Sequence, residues 1–301
     1  MKRNAIIRIV LWSIVIALLL GIMVSVICGG SLFRGIYSLL NNVTDTDGSG
    51  GELTLEQTPL HILPSEESLI FDPKDVEDLE IEWAAGSIIL QPADVEEITI
   101  TESDVSDEKY AMRWKLVNRK LTIQFSEDTI FGIGITVNTK LTKDLYIQVP
   151  RDWVCRSLEI DAASATLEVC DLTIGEVELD TASGVCRFDN CTVDSIDMDT
   201  ASGDIRFSGS LNTLDFDGAS AGIYAQLTNT PNRMDIDTMS GDLDLTLPAD
   251  TGFIVSLDAM SGGFSSDFET TTKNGSYIHG DGRCRINVSA MSGDVIIRMG
   301  Q

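Results

Sequence analysis

One short motif recurs along most of this chain and restricts the folds open to it. Around Ser202 the motif is written Asp-Thr-Ala-Ser-Gly-Asp-Ile. Taking this serine as a marker, equivalent positions follow at intervals of 18 to 21 residues, with one final interval of 31. The marker positions are Ser164, Ser183, Ser202, Ser220, Ser240, Ser261 and Ser292. A period near twenty residues is typical of solenoids, in which each repeat is one small unit stacked on its neighbours.

Aligning the copies on the marker serine gives columns of uniform character. The positions six before, four before and three after the marker are apolar in every copy; in one copy they are Ile196, Met198 and Ile205. The residue before the marker is always Ala or Met, and the residue after it is always Gly or Ala. Alternation with a period of two on both sides of a small-residue bend predicts two short strands per copy.

Two folds fit this pattern, a sandwich of hairpins and a solenoid of β-arches. Uniform columns favour the solenoid, because coils stacked about 4.8 Å apart place like residues over like. Glycine at the bend allows close packing and a positive φ. We therefore predict an all-β fold, a β-solenoid resembling a parallel β-helix with about 19–20 residues per coil, preceded by an N-terminal transmembrane helix.

The first and last parts of the repeat region are less regular. An early copy has Ala85 at the marker position, so we expect the solenoid to begin there, with Trp83 helping to cap its open end. The stretch 112–125 predicts a hairpin that turns at Asn118-Arg119. Residues 267–285 interrupt the period, which predicts a capping or binding loop before a terminal coil around Ser292.

The repeat also carries a family resemblance. The motif at 199–205, together with Leu145-Tyr-Ile-Gln-Val-Pro150 and Leu243-Asp-Leu-Thr-Leu-Pro248, is similar to the bacterial putative-adhesin β-repeat family over about residues 75–301. That family is an uncharacterised domain of membrane-anchored or exported proteins. The resemblance implies a β-solenoid at the cell envelope, and it brings no catalytic residues with it.

The N-terminal stretch predicts a membrane anchor. Residues 9–28 form twenty consecutive uncharged, mostly aliphatic positions, which is the length that spans a bilayer core. Lys2, Arg3 and Arg8 precede them, so the positive-inside rule places residues 1–8 in the cytoplasm and the C-terminal domain outside. A cleaved signal peptide is the alternative interpretation. Residues 29–74 are expected to be a juxtamembrane segment and linker, and 75–301 the solenoid domain.

Charge is the strongest hint of chemistry. The net charge of the chain is −26. All 47 acidic residues but only 17 of the 21 basic residues lie beyond residue 40, so that part carries a charge of −30. Such a charge repels nucleic acid. Aspartate or glutamate stands five before the marker in the first five copies and three before it in the first six. Their repulsion predicts that the aspartates three before the marker accept hydrogen bonds from backbone N–H groups across the bend, or that the carboxylates bind a divalent cation. The calcium candidates are Asp180, Asp199, Asp217 and Asp237.

Other reactive residues are few. With only His61 and His279, no triad or zinc spacing is present in the sequence, so an enzyme is not expected. Cys170 and Cys191 fall at neighbouring bends and fit a disulfide in an oxidising compartment. Seven basic residues cluster at 109–143 and are expected to be solvated or internally paired, or else to form a docking site for an anionic glycan or for the acidic face.

We therefore predict a single-pass protein of the cell membrane whose extracytoplasmic domain acts as an envelope scaffold, an adhesin-like protein or an interaction module. Its expected partners are the membrane, through the anchor, and envelope proteins or cell-wall glycan. An accessory modulator of an envelope stress sensor and a glycan-processing enzyme are the alternatives. Apart from calcium, no cofactor is expected.

Overall fold

The computed structural model describes residues 61–62, 68–103, 110–126 and 142–300, all of which belong to one compact unit, Thr58–Gln301. The predicted anchor at 9–28 lies outside the described residues. Over the ranges that are described, no helix is long and apolar enough to cross a membrane. The predicted all-β class is confirmed, since strands dominate and the helical structure is a short 3₁₀ turn, Pro73–Asp75, and an isolated residue at 110.

Twenty strands lie in the described ranges. The first ten are β1 (His61–Ile62), β2 (Leu69–Phe71), β3 (Asp78–Ala93), β4 (Ile98–Glu102), β5 (Arg113–Val117), β6 (Lys120–Gln124), β7 (Leu145–Pro150), β8 (Val154–Cys170), β9 (Thr173–Ser183) and β10 (Cys186–Ser202). The second ten are β11 (Ile205–Ser220), β12 (Ile223–Leu227), β13 (Arg233–Ser240), β14 (Leu243–Leu247), β15 (Phe253–Ser261), β16 (Phe264–Ser266), β17 (Thr271–Lys273), β18 (Ser276–His279), β19 (Cys284–Ser292) and β20 (Val295–Met299).

The copies stack as parallel, in-register coils, as the columns predict. Ser202 is paired with Ser183 on one side and with Ser220 on the other, and the apolar columns follow the same register. Each coil has a first arm before the bend and a second arm after it, and each arm pairs with the same arm of the next coil. The predicted stacking of like residues over like is therefore confirmed.

The alternation of side chains places the core between the two arms. Ile205 and Phe207 are buried, and Arg206 between them is exposed. The three apolar columns are buried in nearly every coil. The exceptions are Leu257 and Phe264, which are only partly buried. Both lie in the coil of Ser261, which indicates that this coil is near an end of the stack.

The order of the coils in space differs from their order in the sequence. The last copy, around Ser292, pairs with the Ser240 coil on one side and with the Ser261 coil on the other. The expectation that this copy forms the terminal coil is therefore wrong. All copies share the same apolar columns, so the columns do not determine which coils become neighbours. The 31-residue interval before Ser292 gives the chain enough length to place this coil between the Ser240 and Ser261 coils.

The N-terminal end is built in the same way. β6 and β7 form the arms of a coil that pairs with the outer side of β3, while β8 pairs with its inner side. The solenoid therefore does not begin at the Ala85 coil. Trp83 is fully buried and donates a hydrogen bond from Nε1 to the carbonyl of Lys143 at 2.9 Å, so it is a core residue rather than an end cap.

Antiparallel strands cover the ends of the stack. The predicted hairpin at 112–125 is confirmed as β5 and β6, with φ of 52° at Asn118 and 67° at Arg119. β4 lies antiparallel to β7. β18 lies antiparallel to β15, and β17 pairs with the other side of β18 as a hairpin. The excursion at 267–285 therefore caps the Ser261 coil, in agreement with the first of the two roles expected for it.

The bend determines how closely the coils approach. At Gly203, φ is +122°, and a Cβ atom built there would lie 1.8 Å from the carbonyl oxygen of Gly184 in the coil below. Similar contacts at about 2 Å recur at Gly184, Gly241, Gly262 and Gly293. Glycine is therefore required at these bends for space, and at Gly184, Gly203, Gly262 and Gly293 the positive φ adds a conformational requirement.

We expect Gly203→Ala to lower the free energy of unfolding by about 2–4 kcal/mol, because it combines left-handed strain with a backbone clash. Gly275→Ala is the matched control, since Gly275 has φ +82° but open space around it, and about 1 kcal/mol is expected for strain alone. Urea denaturation of the two variants measures the difference. Equal losses would contradict the role of the carbonyl contact.

The intercalated coil gives a second prediction. Ile286 is fully buried between Met234 and Val255, so Ile286→Ala should cost about 2–5 kcal/mol, as it does inside a packed core. Leu257→Ala, in the outer Ser261 coil, should cost clearly less because Leu257 is already partly exposed. Thermal or urea unfolding gives the ranking, and the reverse order would contradict the placement of the Ser292 coil inside the stack.

Candidate functional site: a two-row carboxylate face

Two rows of carboxylates run along the outer side of the first arms, and together they form what we call the carboxylate face. Row one is Glu80, Glu159, Glu178, Asp197, Asp215 and Asp235. Row two is Glu82, Asp161, Asp180, Asp199, Asp217 and Asp237. Each residue is the register partner of the next one in its row, so the face is continuous over six coils.

The strand pattern explains why these residues share one side. Positions two apart on a strand point the same way, so Asp197 and Asp199 face outward while Ile196 and Met198 face the core. In-register stacking then converts a repeated pair into two parallel rows. Sequence analysis missed the first member of each row, Glu80 and Glu82, although the early copy around Ala85 contained the signal that would have found them.

Neutral and basic side chains end the rows. At one end Lys120 Nζ lies 2.6 Å from Glu159 Oε2 and 3.2 Å from Glu80 Oε2. Thr122 donates to Glu80, 2.7 Å away. At the other end Asn287 Nδ2 donates to Asp235 Oδ1 at 2.7 Å. The middle of the face therefore carries the least compensated negative charge.

The electrostatic cost appears in the pKa values of row two. Burial, followed by the neighbouring carboxylate of Asp180, raises the pKa of Asp161 to about 6. Burial and then Asp237 raise the pKa of Asp217 to about 6 as well. The same two causes, burial first, raise the pKa values of Asp180 and Asp199. Carboxylates stacked this closely therefore hold their protons more tightly than isolated carboxylates do.

Backbone hydrogen bonds across the bend belong to a different column from the one expected. Carboxylates two residues after the marker accept them from the adjacent coil. Asp204 Oδ1 accepts from Gly222 N at 3.0 Å, and Asp294 Oδ1 accepts from Gly263 N at 2.8 Å. These aspartates stabilise the bend.

The calcium candidates Asp180, Asp199, Asp217 and Asp237 are brought together as four consecutive members of row two. Among the residues that the structure describes, no group of three or more His, Cys, Asp or Glu side chains is arranged to hold a metal ion. Calcium binding at these four positions therefore stays a prediction, with carboxylate oxygens as its ligands.

The basic residues of 109–143 are largely paired inside the protein where they are described. Lys143 is buried, forms an ion pair with Glu102 and lies 4.9 Å from the centre of the Trp83 ring. Burial lowers the pKa of its amine, although Glu102 opposes that effect. Lys120 forms an ion pair with Glu159 of row one, and Arg119 forms an ion pair with Glu77. This agrees with the internally paired interpretation of the cluster.

The remaining candidate residues do not form a site. Cys155, Cys170, Cys186, Cys191 and Cys284 are free thiols, so the structure does not contain the Cys170–Cys191 disulfide. His279 donates a hydrogen bond from Nδ1 to the carbonyl oxygen of Glu269, 2.8 Å away, within the capping hairpin. A cavity lined by residues such as Ile223, Ile236 and Val288 has a volume of about 10 Å³, room for at most one water.

The geometry defines a protein of stacked β-arches with small-residue bends and a charged outer face. The family model described as Toastrack DUF4097 matches residues 76–222 and 159–298, and the chain therefore belongs to that family. The earlier resemblance to a family of adhesin-like β-repeats is confirmed. No match was found among curated proteins.

Two solved structures are similar in outline. One is a putative cell adhesion protein from Clostridium sporogenes, 10% identical, which covers 78% of this chain and 98% of its own with a TM-score of 0.35. The other is a putative adhesin from Bacteroides fragilis, also 10% identical, which covers 77% of this chain and 98% of its own with a TM-score of 0.41.

The raised pKa values of Asp161 and Asp217 predict how stability changes with pH. Because their folded pKa of about 6 exceeds the usual value of 3.8, the folded state binds protons more tightly between about pH 4 and 7. Stability should therefore rise as the pH falls through this window, by about 1 kcal/mol per carboxyl after solvent screening. The double change Asp161→Asn with Asp217→Asn should flatten the profile, whereas Asp250→Asn, an exposed residue off the face, should not.

Calcium binding has a separate test. If row two coordinates calcium, millimolar calcium chloride should raise the melting temperature by several degrees more than sodium chloride at the same ionic strength, because a ligand that binds only the folded state stabilises it. Screening alone would give equal shifts. Asp199→Asn with Asp217→Asn should remove the excess. Coincident melting curves of the native chain in the two salts would contradict a calcium site.

Proposed function

We propose that this chain is a membrane-anchored, extracytoplasmic interaction module of the cell envelope, and that the carboxylate face binds a partner with a cationic surface. The observation that carries the proposal is the pair of six-membered carboxylate rows in register over six coils. Repulsion along such rows opposes folding, so a complementary partner would stabilise the face as well as bind to it.

The regularity of the face supports binding rather than catalysis. A catalytic centre needs a local departure from the repeat that brings an acid, a base or a nucleophile together in a cleft. Here the carboxylates lie on a repeating strand surface, and row one is bounded at its two ends by Lys120 and Asn287. An extended surface of this kind is suited to a partner that is itself extended, such as a basic segment of an envelope protein.

The anchor supports the same proposal from the sequence side. The uncharged residues 9–28 follow three basic residues and precede the acidic domain. In that orientation the carboxylate face lies outside the cytoplasmic membrane. Protease added to intact cells should therefore remove the domain of 75–301 and leave the anchor behind.

Site-specific photo-crosslinking in intact cells tests the proposed face. A photoreactive residue at Ser195, beside Asp197 on the carboxylate side, should give a discrete crosslinked product, because a bound partner would lie within reach. The matched control is the same residue at Gln226, which is exposed on the second arm. Adding Asp197→Asn, Asp199→Asn and Asp215→Asn should abolish the Ser195 product. Equal products at both positions, or a Ser195 product that survives the three changes, would contradict the proposal.

A further inference from the structure

Three exposed methionines form a ladder at one end of the solenoid. In the first copies the residue before the marker is alanine, but in the last three copies it is Met239, Met260 and Met291. The pairing of Ser240 with Ser292, and of Ser292 with Ser261, places these methionines on three adjacent coils in the order Met239, Met291, Met260. Their exposures are 40%, 52% and 84%, respectively.

Exposed methionine is unusual enough to need an explanation, because the side chain is among those most often fully buried. The intercalation of the Ser292 coil is what makes the ladder continuous. In the sequence Met291 follows Met260 by 31 residues, yet in the stack it lies between the other two. The methionine ladder is therefore a product of the tertiary structure and is not a local sequence motif.

The geometry allows three thioethers to meet. Equivalent residues of adjacent coils lie about 4.8 Å apart, and each methionine side chain has three rotatable bonds. The ladder also lies on the same outer side of the strands as the carboxylate face, since residues two apart point the same way. Asp237 and Asp258 precede Met239 and Met260 by two residues, so carboxylates border the ladder and favour a cation there.

Thioether sulfur is a soft ligand that selects Cu(I) over the hard cations that carboxylates prefer. We propose that Met239, Met291 and Met260 form a three-thioether site for Cu(I), distinct from the carboxylate rows. The composition of the column supports this assignment. Leucine, isoleucine or valine would be sufficient for an apolar ridge. The column before the marker serine contains none of these, and methionine is its only large side chain.

The test follows the methionine methyl groups of the full chain in detergent, labelled with methyl-¹³C methionine. Accessible thiols are alkylated first, because the partly exposed Cys170 would compete for Cu(I). Cu(I) is then added without oxygen. We expect three of the nine methionine methyl resonances to shift together, saturating at one Cu(I) per chain. Met291→Leu should leave the fold intact and weaken binding by about tenfold or more, because it keeps the apolar volume and removes the central sulfur.

Met299→Leu is the matched control, since Met299 is also exposed, at 42%, but lies on the second arm outside the ladder. It should bind Cu(I) as the native chain does. Unchanged binding by Met291→Leu, shifts at methionines outside the ladder, or no shift at all would overturn the proposal. If no resonance shifts, and the native protein and Met291→Leu both bind an apolar partner through the ladder, then the ladder is a docking surface instead.

Discussion

The close approach of successive bends is the constraint on which the rest of this structure depends. At Gly203 the backbone of one coil touches the carbonyl of Gly184 in the next, with no space for a side chain on the glycine. Gly203 and Gly184 directly follow the paired marker serines Ser202 and Ser183, at the junction of the two arms. The contact therefore fixes the register of both arms. Once the register is fixed, apolar columns close into a core and outward columns become continuous rows.

The same register that builds the core also concentrates charge. Rows of carboxylates repeat at the strand spacing, and burial together with neighbouring charges raises the pKa of Asp161 and Asp217 to about 6. The apolar columns behind the face offset this repulsion. Lys120 at one end of the rows and Asn287 at the other reduce it further. The carboxylate face therefore lowers the folding stability that the apolar core provides.

The ends of the stack show how a solenoid limits its exposed edges. At each end a coil from elsewhere in the chain is inserted inside the outermost coil, and an excursion then adds antiparallel strands over the outer edge. Unpaired strand edges invite association with other chains, so this cover protects the fold. The insertion also has a chemical consequence, since it aligns Met239, Met291 and Met260 on adjacent coils.

Sequence alone determined the features that depend on local pattern. Period-two alternation placed Ile205 in the core and Arg206 outside, the Ala-Ser-Gly bends set the coil, and Asn118-Arg119 identified the hairpin turn, because each follows from residues close together in the chain. Only the tertiary structure decided which copies are neighbours. Every copy presents the same columns, so the pattern gives no preference among them. The position of the Ser292 coil, the placement of the β6–β7 coil on the outer side of β3 and the continuity of the methionine ladder all follow from that long-range choice.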